Sequence, residues 1–324
     1  MQPLLLVVAL FTTILIGFRY QVGGDWINYL RIFAHIRYAD FWEAARFADP
    51  GYALLNRIAH ALDAQIWLVN LICAAIFTWG LVKFCAQQPN PWLGMVVAVP
   101  YLVIVVGMGY TRQAAAIGFI LVGMSQLESK SILRFAVYAV IATSFHKSAI
   151  TVLPLVALGS AHGRLAHGAL LGALALLIFY VFVERGMAGI TSTYIAQQYD
   201  AQGAAVRVFM NIIPATIFLI FSKRFEMTRA QHVLWRNFSI GAFFTLGLLL
   251  LVASSTIADR LALYLIPLQV LVFSRLPYAF PRKGKPEPLL VLAVVAYSAT
   301  VQFVWLTKAQ HADSWIPYQF FPLW

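Results

Sequence analysis

The chain has 324 residues, 61% of them hydrophobic and 11% charged, with a mean hydropathy of +0.79. Soluble domains are roughly half apolar and about a quarter charged, so a chain this apolar cannot cover a water-facing surface and reads as one helical membrane bundle. The formal charge is +11, but no basic run interleaves with aromatic residues as a single-strand-binding groove requires. Nucleic acid is therefore excluded as a partner, and the charge is read as a topology signal.

Apolar stretches run Leu4–Phe18, Ala64–Val82, Trp92–Met108, Gln113–Leu127, His167–Val183, Val208–Ser222, Phe238–Ser255, Leu261–Ser274 and Leu289–Leu306. They are continuous rather than alternating, which argues against a β-barrel. Leu4–Phe18 has neither a basic leading region nor a small-residue cleavage site, so it is expected to be a retained span. Between Ile132 and Ser160 the apolar stretch is too long for one upright span, and Phe145-His146-Lys147-Ser148 sits in its middle. Either one tilted helix carries the His-Lys pair, or two short spans turn there.

Charge counting favours the turn. With it, the cytoplasmic segments hold 12 bases and 3 acids and the outer segments 11 bases and 9 acids, which follows the positive-inside rule. The expectation is an all-α polytopic membrane protein with residues 1–324 forming a single transmembrane domain. It has about eleven spans (nine to eleven are compatible), the N-terminus cytoplasmic and the working face extracytoplasmic.

The longest outer segment is 19–63. Trp26, Tyr29, Leu30, Phe33 and Ile36 follow a helical spacing, Pro50-Gly51 breaks the chain, and Tyr52, Leu55, Ala59 and Leu62 form a second stripe. Both predict amphipathic helices, either lying in the interface plane with apolar faces in the acyl boundary or only capping the bundle. The outer segment 184–207 carries hydroxyls, amides and rings (Thr191, Tyr194, Gln197, Tyr199, Asp200) suited to sugar contact and equally to any external loop. The aromatic tail, Trp315 to Trp324, reads as an interfacial belt. Asn70, Asn211, Gln269 and Gln302 lie inside spans and are expected to bond between helices.

Five short pieces recur in order: Gly24-Asp25-Trp26-Ile27-Asn28-Tyr29, Asp49-Pro50-Gly51-Tyr52, Thr111-Arg112-Gln113, Phe145-His146-Lys147-Ser148-Ala149, and Asp259-Arg260-Leu261 with Tyr264. This set resembles the EpsG-type branch of the Wzy-like polysaccharide polymerases. The chain departs from that pattern in Asp49, where Glu is more common, and in Lys147, where a small residue or proline is common. The resemblance implies a bacterial inner-membrane glycosyltransferase with a fold similar to the metal-independent GT-C type. It would join oligosaccharide repeat units carried on undecaprenyl pyrophosphate, as both donor and acceptor, at the outer face of the bilayer. It would act beside a flippase and a chain-length regulator in exopolysaccharide, capsule or O-antigen synthesis.

Such chemistry needs cations for the departing pyrophosphate and a base for the acceptor hydroxyl. Arg112, at the mouth of a span, is the first cation candidate, Arg260 the second and Arg207 the third; each competes with a role as a snorkelling end charge. Asp25 is the candidate carboxylate base, against a role as helix N-cap. His146 is the candidate histidine, as base or, when protonated, as donor to the pyrophosphate, and Lys147 beside it adds a cation. Asp49 and Asp259 are the alternative carboxylates, the latter expected to orient Arg260. Tyr29, Tyr52 and Tyr264 offer hydroxyls and flat faces for sugar rings. The seven histidines form no ligand spacing, and Cys73 and Cys85 match no zinc or redox motif, so no metal and no cofactor is expected. A flippase, a ligase and a structural subunit remain alternatives at this stage.

Overall fold

The computed structural model describes residues 3–127, 132–157, 203–251 and 255–323. Among these residues every regular element is a helix, and only two isolated bridges pair extended backbone. Two compact units emerge, one built from 1–126, 133–149 and 292–324 and the other from 127–132 and 150–291.

The first unit contains α1 (Pro3–Gly17), α2 (Trp26–Ile36), α3 (Phe41–Phe47), α4 (Pro50–Ala61), α5 (Ile66–Cys85), α6 (Pro91–Ala98), α7 (Thr111–Gln126) and α8 (Ile132–Phe145). In the second lie α9 (Val152–Ala157), α10 (Ala204–Phe221), α11 (Arg229–Leu251), α12 (Ser255–Leu265) and α13 (Pro267–Ala279), while α14 spans Pro288–Lys308. Five described helices are long and apolar enough to cross a membrane: Ile66–Cys85, Ala204–Arg224, Arg229–Leu251, Ala258–Ala279 and Pro288–Lys308. Leu289, Leu292 and Phe303 on α14 and Leu6, Leu10 and Phe11 on α1 are exposed. Large apolar side chains arrayed around helices of this length suit lipid rather than water.

The core of the first unit is the contact between α5 and α7. A Cβ on Gly80 would lie 2.1 Å from the Gly118 carbonyl oxygen, and one on Gly118 would lie 2.6 Å from that of Ile76. Only glycine permits this approach, and small residues at the crossing are what allow helices without a water-driven core to pack backbone to backbone. The helix begun by α6 continues as a π-helix over Val99–Gly107. Pro100 explains the widening: it has no N–H to donate, and its ring crowds the carbonyl four residues earlier.

In the 132–160 region the helix stops at Phe145, a 3-10 turn spans Lys147–Thr151, and α9 begins at Val152. His146 therefore sits at a break, not inside one continuous helix. The readings on His167–Val183 and on residues 184–202, including the candidate sugar-contacting loop, lie outside the described residues.

One sequence expectation is corrected, that of the tail. On α2 the buried residues are Trp26, Tyr29, Ile32 and Ile36, while Ile27 and Leu30 are exposed; on α4 Tyr52, Asn56 and Ala59 are buried, while Leu54, Ile58 and Leu62 are exposed. Each helix thus packs one face on the unit and leaves apolar side chains on the other. The aromatic tail is not solely a belt. Trp315 is buried, lies against Gly109, and donates from Nε1 to the Ile104 carbonyl at 2.9 Å. That carbonyl belongs to the π-helical stretch, where the ladder is irregular and an outside donor is useful. Phe320 and Phe321 pack on Phe18 and Tyr20, and Arg19 bridges to Phe320.

Candidate functional site

Asp49 precedes α4, whose first residue is Pro50, an arrangement suited to an N-cap. Asp40, before α3, does cap: its carboxylate accepts the Glu43 N–H at 2.8 Å. Asp49 makes no such bond. Its Oδ2 instead accepts from the Arg112 guanidinium at 3.0 Å, and its Oδ1 accepts the Lys147 backbone N–H at 3.4 Å. Gly51 brings these elements together. A Cβ there would stand 2.6 Å from the Ser144 hydroxyl oxygen and 3.0 Å from the Phe145 ring, so the start of α4 can rest directly on the end of α8.

Arg112, the second residue of α7, also stands over the Tyr52 ring at 5.9 Å, and its Nε has no hydrogen-bond partner. Tyr52 and Tyr29 lie ring to ring at 5.8 Å and are both buried. Burial pushes the Tyr29 phenol up to about 12, with Asp25 adding to the rise, and lifts Tyr52 well above its usual value. Both are therefore neutral hydroxyl donors at physiological pH. Burial likewise raises the Asp49 carboxyl above the ordinary carboxylate value, against the lowering pull of Arg112 and Lys147. Asp25 stands at the N-cap position of α2 without a side-chain cap bond, so the capping role that competed with a chemical one is not taken up.

His146 Nδ1 faces the Ser148 backbone N–H at 3.3 Å and the Ser148 hydroxyl. A backbone N–H can only donate, so Nδ1 is the acceptor and the neutral ring carries its proton on Nε2. The Nδ1 side of the ring is thus engaged by Ser148.

The remaining candidates lie in the second unit. Arg207 Nε is paired with Asp259 Oδ1, both buried. Asp259 was expected to orient its neighbour Arg260; its carboxylate instead bonds the arginine 52 positions earlier in the chain, and Arg260 is exposed. Tyr264 is buried. Asn211 donates to the Ala262 carbonyl at 2.8 Å and accepts from Gln269 at 3.0 Å, the interhelical bonding expected of both. Gln302 is different, since neither its amide nitrogen nor its oxygen has a partner.

Sequence reasoning missed Arg19, which is 1% exposed. Its guanidinium donates to the Ile16 carbonyl at 2.9 Å, the Val22 carbonyl at 3.2 Å, Asn70 Oδ1 at 3.4 Å and the Thr111 hydroxyl at 2.6 Å. An arginine just past an apolar stretch is ordinarily a snorkelling charge; only the polar Asn70 inside the next span hinted at a partner.

A cleft of about 700 Å³ lined by Phe33, Arg37, Arg57 and His60 contains none of the predicted residues. No group of three or more His, Cys, Asp or Glu side chains among the described residues could hold a metal ion.

The first unit thus gathers Tyr29, Asp49, Tyr52, Arg112 and the Lys147 backbone, with Asp25 and His146 adjoining through α2 and the α8 break. A half-buried arginine with one unbonded nitrogen, neutral phenols and a carboxylate of raised pKa can receive an anion and a hydroxylated ligand together. No curated protein and no solved structure matches the chain. One family model, described as the EpsG family, matches residues 3–320. With nearly its whole length inside that match and with its long apolar helices, the chain is a polysaccharide polymerase-type membrane protein belonging to the EpsG family.

Proposed function

We propose that the protein is a metal-independent glycosyltransferase that joins oligosaccharide repeat units carried on undecaprenyl pyrophosphate. It works at the extracytoplasmic face of a bacterial inner membrane, within a GT-C-like bundle of about eleven spans whose N-terminus is cytoplasmic. The observation that carries this reading is the Arg112–Asp49 pair, with the unbonded Arg112 Nε beside two buried tyrosines. The acceptor sugar's hydroxyl oxygen attacks the anomeric carbon of the donor. The bond from that carbon to the pyrophosphate oxygen breaks, and the pyrophosphate leaves with the electron pair. The hydroxyl proton passes to the Asp25 carboxylate. Arg112 and protonated His146 bind the departing anion, and Tyr29 and Tyr52 bind sugar hydroxyls. In the second unit the exposed Arg260 offers a further contact for lipid phosphate, while Arg207 is held by Asp259 and Tyr264 stays internal. A flippase supplies the substrate from the other leaflet, and a chain-length regulator limits the product.

The test is deletion in the native host followed by complementation, with surface polysaccharide resolved on a gel at matched membrane levels of each variant. The wild type should restore a ladder, while Arg112→Ala, Asp25→Asn and His146→Ala should leave single repeat units. Repeat units that never reach the surface on deletion would instead make the protein a flippase. Long polymer made but left unattached to its final acceptor would make it a ligase.

A further inference from the structure

Arg19 is a fully buried cation that none of the steps above uses. Its four hydrogen bonds reach the end of α1 at Ile16, the following loop at Val22, α5 at Asn70 and the first residue of α7 at Thr111. Among the described residues no ion pair to Arg19 is found; its four partners are two carbonyls, an amide and a hydroxyl. Burying a charge without a counter-ion is costly, and a mere tie between helices could be made by a neutral amide. Two features suggest what the arrangement is for. Thr111, which takes the shortest of the four bonds, immediately precedes Arg112. Buried polar atoms without partners cluster around the same residues: Asn70 Nδ2 on Arg19's own partner, Tyr52 Oη under Arg112, and Arg112 Nε itself.

We propose that Arg19 is a positioning residue for Arg112: its buried fork holds Thr111, and with it the first turn of α7, so that Arg112 meets Asp49 and keeps Nε directed to an anionic group. The planar guanidinium matters because its donors diverge toward acceptors on three elements, a pattern that a single ammonium cannot reproduce. The identity of the anion, a pyrophosphate, rests on the function proposed above; the positioning of Arg112 does not.

The experiment uses the full chain in neutral-lipid nanodiscs and has two arms. The first follows the Asp49 carboxyl by carbon NMR through a pH titration, its signal identified by loss in Asp49→Asn. Arg112 from α7 and Lys147 after α8 are the cations facing this carboxylate, with Tyr52 on its own helix and Tyr29 and Asp25 around Arg112. Thr111→Val is nearly isosteric and removes only the hydroxyl, so it tests the tie even where Arg19→Lys fails to fold. Thr111→Val and Arg19→Lys should move the Asp49 titration upward toward its position in Arg112→Ala, and Thr111→Ser should restore the wild-type curve. A Thr111→Val curve identical to wild type overturns the positioning role. The second arm measures inorganic pyrophosphate binding, which should weaken about tenfold in Thr111→Val, the loss of roughly one charge-assisted hydrogen bond. If the titration shifts while wild type binds no pyrophosphate, Arg19 positions Arg112 as proposed and the leaving-group reading falls instead.

Discussion

Replacing Asp49 and Arg112 singly and together tests whether their pair is a unit of the site. At 3.0 Å and an effective dielectric of about 20, the Coulomb attraction is about 5.5 kcal/mol. The desolvation of both groups offsets more than half of it, and 23% of the Arg112 and 11% of the Asp49 side chain still meets the surroundings, leaving a coupling of about 2 kcal/mol. Asp49→Asn leaves the half-buried Arg112 cation without its partner and should cost about 2 kcal/mol. Arg112→Gln should cost less, because the Asp49 carboxyl, already raised by burial, escapes by taking a proton. The double variant should then be about 2 kcal/mol more stable than the two single losses added together. The assay is unfolding of the purified chain from mixed micelles with increasing dodecyl sulfate. Losses that add to within about 0.5 kcal/mol would show that the two side chains act independently and would refute the argument.

Acidification should separate activity from stability. The Arg112–Asp49 pair exists only while Asp49 is ionised, so ladder synthesis should fall on acidification at a pH above the ordinary carboxylate value, a limb absent from any residual activity of Asp49→Asn. Stability should move the opposite way. A carboxyl whose folded pKa is raised binds its proton more tightly when folded, so this contribution is present at low pH and lost as pH rises through the folded value; unfolding measured across that range should show it. In the second unit, Arg207→Ala strands the buried Asp259 and should cost about 3 kcal/mol, whereas the exposed Arg260→Ala should cost under about 0.5 kcal/mol, both read by the same unfolding assay. Gly51→Ala drives a methyl into Ser144 and Phe145 and should cost about 1–3 kcal/mol and most of the ladder; Ser144→Gly, which removes the nearer of the two obstacles, should return part of both.

The membrane class was legible because continuous apolar runs leave little choice of environment, and the break at His146 because only a turn there keeps the later basic loops on the cytoplasmic side. Asp49, Tyr52 and Arg112 were legible as chemical types in short motifs, but not as a cluster. What joins them is the approach of α4 to α8 at Gly51, a contact with no periodicity along the chain. Arg19 looked like any charge at a span end, and its meaning depends on Thr111, 92 residues away. Asp259 was assigned to the adjacent Arg260 because neighbours in sequence are easily weighed. On a helix, however, consecutive side chains point about 100° apart, and the buried arginine on another helix is the nearer one. The tail was read by composition alone, which cannot separate an aromatic side chain in the headgroup region from one plugging an irregular helix.

The bond from Trp315 to the Ile104 carbonyl spans 211 residues, and this sets an order of events during biosynthesis. The segments carrying Asp25 and Arg112 leave the ribosome early, yet Gly23 takes its backbone acceptor from Ser314 and Gly109 its packing partner from Trp315. Until the tail has been made, the wide turns over Val99–Gly107 lack the donor and the wall that Trp315 supplies. The tail therefore acts as a latch: the nascent chain has the candidate residues long before it has a finished place for them, and ribosome stalling short of Trp315 would leave the helices inserted but the cluster open.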